Sequence, residues 1–93
     1  MTVATLFPLG RLCATPAALD ALANANTHPI DLLRRHARGD WGDLCPEDIE
    51  ANRLALAVGA RVLSAYTLPA GPGLYVITEA DRSLTTILLK ENY

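Results

Sequence analysis

Alternating apolar and polar side chains between residues 61 and 89 predict three short β-strands. A period of two is typical of a strand, because successive side chains point to opposite faces of the sheet. The three runs are separated by residues 69–73 and 79–83, which are rich in Pro, Gly, Asp and Ser. These residue types favour turns over continued strands. The pattern therefore predicts a small antiparallel β-meander that must be covered on one face.

Each predicted strand has one face that turns inward and one that turns outward. The inward set comprises Leu63, Ala65, Thr67, Leu74, Val76, Thr78, Thr85, Ile87 and Leu89. The outward set contains Val62, Tyr66, Tyr75, Ile77, Leu84 and Leu88. This outward set is unusually apolar, so we expect it to meet a partner chain or an N-terminal strand.

Three helices are predicted before the meander, each with a proline in its first turn. Their starts are Thr15-Pro16, Thr27 or His28 followed by Pro29, and Cys45-Pro46. Proline is favoured there because its missing N–H has no helical partner at that position. The predicted ends are Asn24-Ala25-Asn26, Gly39 and Gly59. Glycine is the residue most often found just past a helix C-terminus.

Two further segments complete the predicted architecture. A stripe on the third helix is expected to pack on the sheet, and it comprises Ala51, Leu54, Ala55, Leu56 and Val58. Residues 6–14 are apolar but contain Pro8 and Gly10, which predicts an edge strand or an extended arm. The fold class is therefore α+β: three helices followed by a three-stranded antiparallel β-meander, with the N-terminal segment at its edge.

Length and composition predict one globular domain spanning residues 1–93. The chain is 51% hydrophobic and 19% charged, which excludes a disordered protein. No apolar run approaches the ~20 residues that cross a bilayer. The first ten residues lack the basic start and long apolar stretch of a secretion signal, so we expect a cytoplasmic protein. Cys13 and Cys45 are too few for a disulfide framework and are interpreted as reduced, buried structural thiols.

A formal charge of −2 makes nucleic acid an unfavourable main ligand, because phosphate binding usually needs a basic surface. One local basic cluster contains Arg34, Arg35, His36 and Arg38. Cations near a helix C-terminus complement its dipole. We therefore interpret the cluster as the solvated end of the second helix, with a phosphate site as the alternative.

The loop of residues 39–44 contains the one tryptophan, Trp41, between Asp40 and Asp43. Tryptophan is enriched among interface residues that dominate binding, which suggests an exposed anchor. The alternative is a plug that closes the end of the core. Asp40 and Asp43 lie close to Glu47 and Asp48, but the spacing does not match an EF-hand calcium loop. No nucleotide-binding fingerprint is present, so we predict neither a metal nor a cofactor.

Three segments, residues 39–44, 63–69 and 76–89, resemble a set of small bacterial proteins. These proteins are commonly labelled plasmid-related protein or type I restriction endonuclease subunit M. The resemblance runs from Leu9 to Tyr93 and implies a bacterial accessory protein associated with plasmids or other mobile DNA. It brings no catalytic residues with it. The methyltransferase label finds no support, because the chain lacks a cofactor-binding glycine loop and an NPPF-like motif.

We therefore expect a non-enzymatic, macromolecule-binding accessory protein of a mobile element. Its concrete form would be an inhibitor or modulator of host defence machinery that contacts a protein partner. The candidate binding residues are Asp40, Trp41 and Asp43 in the loop, Tyr66, Tyr75 and Glu79 on the outward strand faces, and Asp81 and Arg82 at the second turn.

Two alternatives use the same residues differently. A homodimer would bury the apolar outward set without any foreign partner. A compact metal-independent ribonuclease, with a RelE-like or barnase-like layout, would need acid, base and phosphate-binding groups. Its candidate groups are His36, Arg61, Tyr66, Glu79, Arg82 and Thr85.

Overall fold

A four-stranded mixed sheet with three helices makes up the fold. The computed structural model describes residues 5–69 and 71–93. The elements are β1 (Arg11–Ala14), α1 (Pro16–Asn24), α2 (Pro29–Ala37), α3 (Pro46–Val58), β2 (Val62–Thr67), β3 (Gly73–Thr78), β4 (Leu84–Leu89) and a 3-10 turn at Lys90–Asn92. The α+β class is thus confirmed. Residues 1–4 and Ala70, which belong to the chain start and the first predicted turn, lie outside the described residues.

The sheet contains one strand more than the predicted meander. Strands β2, β3 and β4 pair antiparallel, and β1 lies beside β4 in parallel, giving the order β1-β4-β3-β2. The Arg11 N–H donates to Ser83 and the Thr15 N–H donates to Ile87, each over 3.0 Å. The edge strand predicted within residues 6–14 is thus present as β1, ahead of the first helix, and the predicted order of helices followed by strands holds for β2, β3 and β4.

The predicted helix starts are confirmed, because they depend on local chemistry. Thr15 caps α1, and its hydroxyl oxygen accepts the Ala18 N–H over 3.2 Å. His28 and Cys45 occupy the N-cap positions of α2 and α3. Gly59 ends α3 with a left-handed φ of 76°. Among the described residues, no helix is both long and apolar enough to cross a membrane.

One face of the sheet carries the main core. Sheet residues Tyr66, Leu74, Val76, Ile87 and Leu89 pack there against Ala18 and Leu22 of α1 and Leu32 and Leu33 of α2. We call this the covered face. The predicted inward positions of β3 and β4 all belong to it, since each is buried and they pair across the two strands.

For β2 the predicted facing is wrong by one residue. Val62 and Tyr66, predicted outward, are 0% and 2% exposed, and they pair with Thr78 and Leu74 on the covered face. Both sets of β2 side chains are largely apolar, so alternation alone does not choose between the two registers. The observed register gives the Ser64 and Tyr66 hydroxyls hydrogen-bonding partners inside the fold, as described below.

The predicted apolar stripe of α3 is only partly correct: Ala55 and Leu56 pack against the core, and the other members are exposed. Leu54 and Val58 are 50% and 75% exposed, whereas the buried residues of α3 are Asn52 and Ala55. Ala55 packs with Val62 and with Phe7 from the N-terminal segment. A helix that lies along a sheet edge buries only a narrow side, which explains the exposure. The two cysteines, expected to be buried, are unpaired and exposed.

Candidate functional site

A row of buried polar side chains, joined by hydrogen bonds, connects α2 to three strands. His36 projects from α2 onto the covered face, where Nδ1 lies 2.5 Å from the Ser64 Oγ and Nε2 lies 2.9 Å from the Thr78 Oγ1. The Thr78 and Thr85 hydroxyl oxygens are 2.7 Å apart. The Thr85 hydroxyl donates to the Leu9 carbonyl oxygen over 2.7 Å. Each of these four side chains is 0% exposed, so the interpretation of His36 as part of a solvated helix end is wrong.

The number of protons available in this row of hydrogen bonds determines the tautomer of His36. A threonine hydroxyl has one proton, and that of Thr85 is used on Leu9. Thr78 must therefore donate to Thr85 and accept the proton on His36 Nε2. Nδ1 of His36 then carries no proton and accepts from the Ser64 hydroxyl. Burial, and secondarily the positive charge of Arg82, lowers the pKa of His36 to about 4, so the ring is neutral at pH 7.

Aromatic rings close the end of the core around His36. The Phe7 ring meets the imidazole edge-on with centroids 5.2 Å apart, and it stacks on Trp41 at 6.3 Å. The Trp41 ring also meets the imidazole edge-on at 5.8 Å. Trp41 is half-buried. These contacts are those of a core plug, and a role of Trp41 in binding stays a prediction.

The Asp40 carboxylate is bound by an arginine of the same protein. Its carboxylate accepts from the Arg35 guanidinium over 2.7 Å, and this contact holds the pKa of Asp40 below its usual value. The Arg35 guanidinium also lies over the Tyr66 ring, 4.5 Å from its centroid. The Tyr66 hydroxyl donates to the Asp40 carbonyl oxygen over 2.7 Å. Tyr66, predicted on an outward surface, therefore lies inside the fold and anchors the loop.

The loop and α3 together close the outer edge of β2. The Ala65 N–H donates to the Trp41 carbonyl over 3.1 Å, and the Asp43 N–H donates to the Ala65 carbonyl over 2.7 Å. The Asn52 amide accepts the Leu63 N–H over 3.0 Å and donates to the Leu63 carbonyl over 2.6 Å. An open strand edge invites pairing with other chains, and these contacts block it. Asn52 was not among the residues predicted to be functional, and a single polar residue on an exposed helix gives no local signal of such a role.

The second turn is likewise held by internal contacts. The Asp81 carboxylate accepts the Ser83 N–H over 3.0 Å and the Ser83 hydroxyl over 2.5 Å. The Arg82 guanidinium donates to the carbonyls of Ala60 and Ala55 over 2.6 and 3.3 Å, near the end of α3. Arg82 has a left-handed φ of 62°. These side chains fix the turn and the helix end, and their role in binding stays a prediction.

The second face of the sheet has a different surface, which we call the open face. By strand register it presents Arg11, Cys13, Leu63, Ala65, Thr67, Tyr75, Ile77, Leu84, Thr86 and Leu88. None of these residues belongs to the core clusters beneath the helices. Leu63, Tyr75, Leu84 and Leu88 are half-buried, whereas Ala65 and Ile77 on the same face are only 2% and 5% exposed. Glu79 extends the same row of positions, since its N–H donates to the Leu84 carbonyl over 2.9 Å.

The C-terminal residues lie against this open face. The Tyr93 ring meets the Tyr75 ring edge-on at 5.4 Å, and the Arg61 guanidinium donates to the Tyr93 hydroxyl. The Lys90 ammonium lies 5.5 Å from the centroid of Tyr75. Tyr93 is 66% exposed, so it covers the face only in part. Of the eight predicted binding residues, Tyr75 and Glu79 lie on this face.

Comparisons with known proteins add no relatives to this picture. No family model, curated protein or solved structure matches the chain significantly. Function must therefore be inferred from the side chains.

The six groups suggested for ribonuclease chemistry do not share an accessible surface. His36 and Thr85 are 0% exposed and Tyr66 is 2% exposed, so an RNA substrate cannot reach their polar atoms in this conformation. Arg82 is engaged by backbone carbonyls. Within residues 5–69 and 71–93, no cluster of three or more His, Cys, Asp or Glu side chains could hold a metal ion.

Proposed function

We propose that this chain is a small non-enzymatic binding protein that docks on a protein partner through its open face. The observation that carries this proposal is the difference between the two sides of the sheet. The covered face buries its side chains under α1 and α2, whereas Leu63, Tyr75, Leu84 and Leu88 are only half-buried on the open face. A contiguous apolar surface of this kind is typical of an interaction site.

The arrangement of the other candidate residues supports binding over catalysis. The Asp40 carboxylate accepts from Arg35 of α2, the Asp81 carboxylate accepts from Ser83 of its own turn, and Arg82 donates to a carbonyl just after α3. The most concentrated polar cluster, around His36, is closed to solvent. These side chains support the scaffold, and the open face is the surface that they leave for a partner.

The biological setting of the proposal comes from the sequence resemblance. Segments 39–44, 63–69 and 76–89 resemble small bacterial proteins associated with plasmids and other mobile DNA. We therefore propose an accessory protein of a mobile element that modulates or inhibits a component of host defence. The structural support concerns the docking surface, and the resemblance supports the setting.

Affinity capture with matched surface variants tests the docking surface. The tagged chain would be used in extract of a host that carries the mobile element, beside Leu88→Arg on the open face and Leu54→Arg on α3. Leu54 is 50% exposed and lies away from the open face, so its variant is the control. We expect Leu54→Arg to retain the captured complex and Leu88→Arg to lose it, with both variants showing the parent circular dichroism spectrum. Retention by Leu88→Arg would refute docking through this face.

A further inference from the structure

We infer that the partner of the open face is a protein surface with apolar side chains at its centre and acidic side chains at its rim. This inference rests on the proposed function and names the chemistry of the partner. It depends on the charged residues around the open face. Three cations, Arg11, Arg61 and Lys90, lie beside its apolar residues.

The positions of these cations follow from pairing and contacts. Arg11 pairs with Leu84 and so lies on the same side of the sheet. Arg61 reaches over this side to the Tyr93 hydroxyl, and Lys90 lies over the Tyr75 ring. By strand register Arg11 and Arg61 therefore lie at the Leu84–Glu79 end of the open face, and Lys90 lies beside Tyr75.

None of the three cations forms an ion pair with a described residue. The ion pairs found in the described parts of the chain join Arg35 to Asp40 and Arg53 to Glu50. Glu79 shares the open face, and Glu91 follows Lys90 in the 3-10 turn, yet neither lies within ion-pair distance of a cation. The open face is thus rimmed by unpaired positive charge although the whole chain carries −2. Complementary charge on a partner would steer association and fix its orientation.

The same charges disfavour a second copy of the chain as the occupant. Two open faces meeting about a two-fold axis would bring six rim cations together with two copies each of Glu79 and Glu91, which leaves an excess of positive charge. Like charges brought together at an interface oppose association. A foreign partner with an acidic rim avoids this repulsion and still buries the apolar centre.

Aliphatic side chains favour a protein over a nucleic acid. Single-stranded nucleic acids bind by phosphate contacts to cations and by stacking of bases on aromatic rings. Tyr75 and Tyr93 could stack with bases, but the partly exposed Leu63, Leu84 and Leu88 provide most of the aliphatic surface. These branched side chains pack well against other apolar side chains and offer bases no flat surface.

Two synthetic peptides with one apolar pattern and opposite charges test this inference. Each would carry alternating Leu and Val, flanked in one peptide by Glu and in the other by Lys. We expect the Glu peptide to bind the intact protein at least about tenfold more tightly in low salt, and to lose that advantage as salt screens the charges. A double variant, Arg61→Glu with Lys90→Glu, should reverse the preference. Arg53→Glu, on the exposed side of α3, should leave it unchanged.

Other outcomes would overturn the inference. Equal binding of the two peptides, or binding by neither, contradicts an acidic-rimmed partner. Tighter binding of an oligothymidylate, or a dimer at micromolar concentration in sedimentation equilibrium, would assign the open face to nucleic acid or to a second copy. The proposed function fails separately, because it is refuted when Leu88→Arg retains the captured host complex. If capture requires Leu88 but is unaffected by salt and by charge reversal, docking through the open face is supported and an acidic rim on the partner is refuted.

Discussion

The side-chain amide of Asn52 pairs with both the N–H and the carbonyl of Leu63, as a neighbouring strand would. Asn52 is 2% exposed, so this pairing takes place away from solvent. One residue of α3 thereby satisfies two backbone groups at the edge of β2. The loop residues Trp41 and Asp43 satisfy the next pair at Ala65. This edge is sealed by a helix side chain and a loop.

Replacing Asn52 with leucine should therefore destabilise the fold strongly. The substitution nearly conserves volume but leaves two backbone groups of Leu63 without partners, which should cost roughly 2–4 kcal/mol. Urea unfolding followed by circular dichroism measures the change. Asn24→Leu, at the exposed end of α1, is the control and should change the free energy of unfolding by less than about 0.5 kcal/mol. Equal effects of the two substitutions would contradict the edge-sealing role.

The buried state of His36 predicts a loss of stability on acidification. An unfolded histidine has a pKa of 6.5 and folded His36 has one of about 4, so between these values the unfolded chain binds more protons. The contribution of neutral His36 is complete above pH 6.5 and decreases as the pH falls towards 4, by up to about 3 kcal/mol. Urea unfolding between pH 7 and 4 should show a flatter profile for His36→Gln than for the parent. His28→Gln, at the N-cap of α2, is the control for replacing an imidazole elsewhere in the protein.

The tautomer of His36 can be observed directly. Proton counting places the proton on Nε2, because Thr85 uses its proton on Leu9. Nitrogen-15 spectra of the imidazole at pH 7 should therefore show a protonated Nε2 and an unprotonated Nδ1. Thr85→Val removes the oxygen that accepts the Thr78 proton, so the direction of the hydrogen bonds is no longer fixed and a mixture of tautomers should form. A protonated Nδ1 in the parent protein would show that the donors and acceptors in this row of hydrogen bonds are reversed.

Two glycines with similar backbone angles should differ in their tolerance of alanine. Gly42 and Gly59 have φ values of 72° and 76°, so both substitutions carry the backbone cost of a left-handed residue, about 1–2 kcal/mol. A Cβ at Gly59 meets nothing within 4 Å, whereas one at Gly42 would overlap the Ala65 carbonyl and approach the Tyr66 ring at 2.7 Å. We expect Gly42→Ala to cost about 3 kcal/mol or more in thermal unfolding and Gly59→Ala to show only the backbone cost. Similar losses would mean that the loop can move away from β2.

Arg82 should contribute to stability and leave partner binding unchanged. Its guanidinium satisfies carbonyls at the end of α3, and losing these contacts in Arg82→Ala should cost about 1 kcal/mol. Arg38→Ala, at the exposed C-cap of α2, is the control for loss of charge. Parallel capture experiments should give the same yield for all three proteins. A loss of capture without a loss of stability would instead confirm the sequence prediction that Arg82 contacts the partner.

Local signals in the sequence predicted the helices well. A capping residue followed by proline specifies the start of α1, α2 and α3 within one turn, and no distant contact is needed. The predicted faces of β3 and β4 were also correct, because polar turn residues define where each strand starts. The fold class followed from these elements together.

Distant contacts explain what the sequence did not predict. The pairing of β1 with β4 and the facing of β2 depend on groups far away in the chain, so a local pattern cannot decide them. The buried row of polar side chains around His36 did leave a signal: His36 lies on the same side of α2 as the buried Leu32 and Leu33. Asp40 and Arg82 were predicted to bind a partner because they are charged. In the fold these charged groups form hydrogen bonds within the protein instead.

The bond from Thr85 to Leu9 joins residues that are 76 positions apart. Because β1 pairs only with β4, the first strand has no partner until the last one has been synthesised. Contacts of such long range slow folding, since a large loop must close before they form. During translation the N-terminal segment would therefore remain unpaired until almost the whole chain had been made. Final assembly of the sheet is in this way a late event, and loss of β4 would leave Thr78 without the Thr85 oxygen that orients its hydroxyl towards His36.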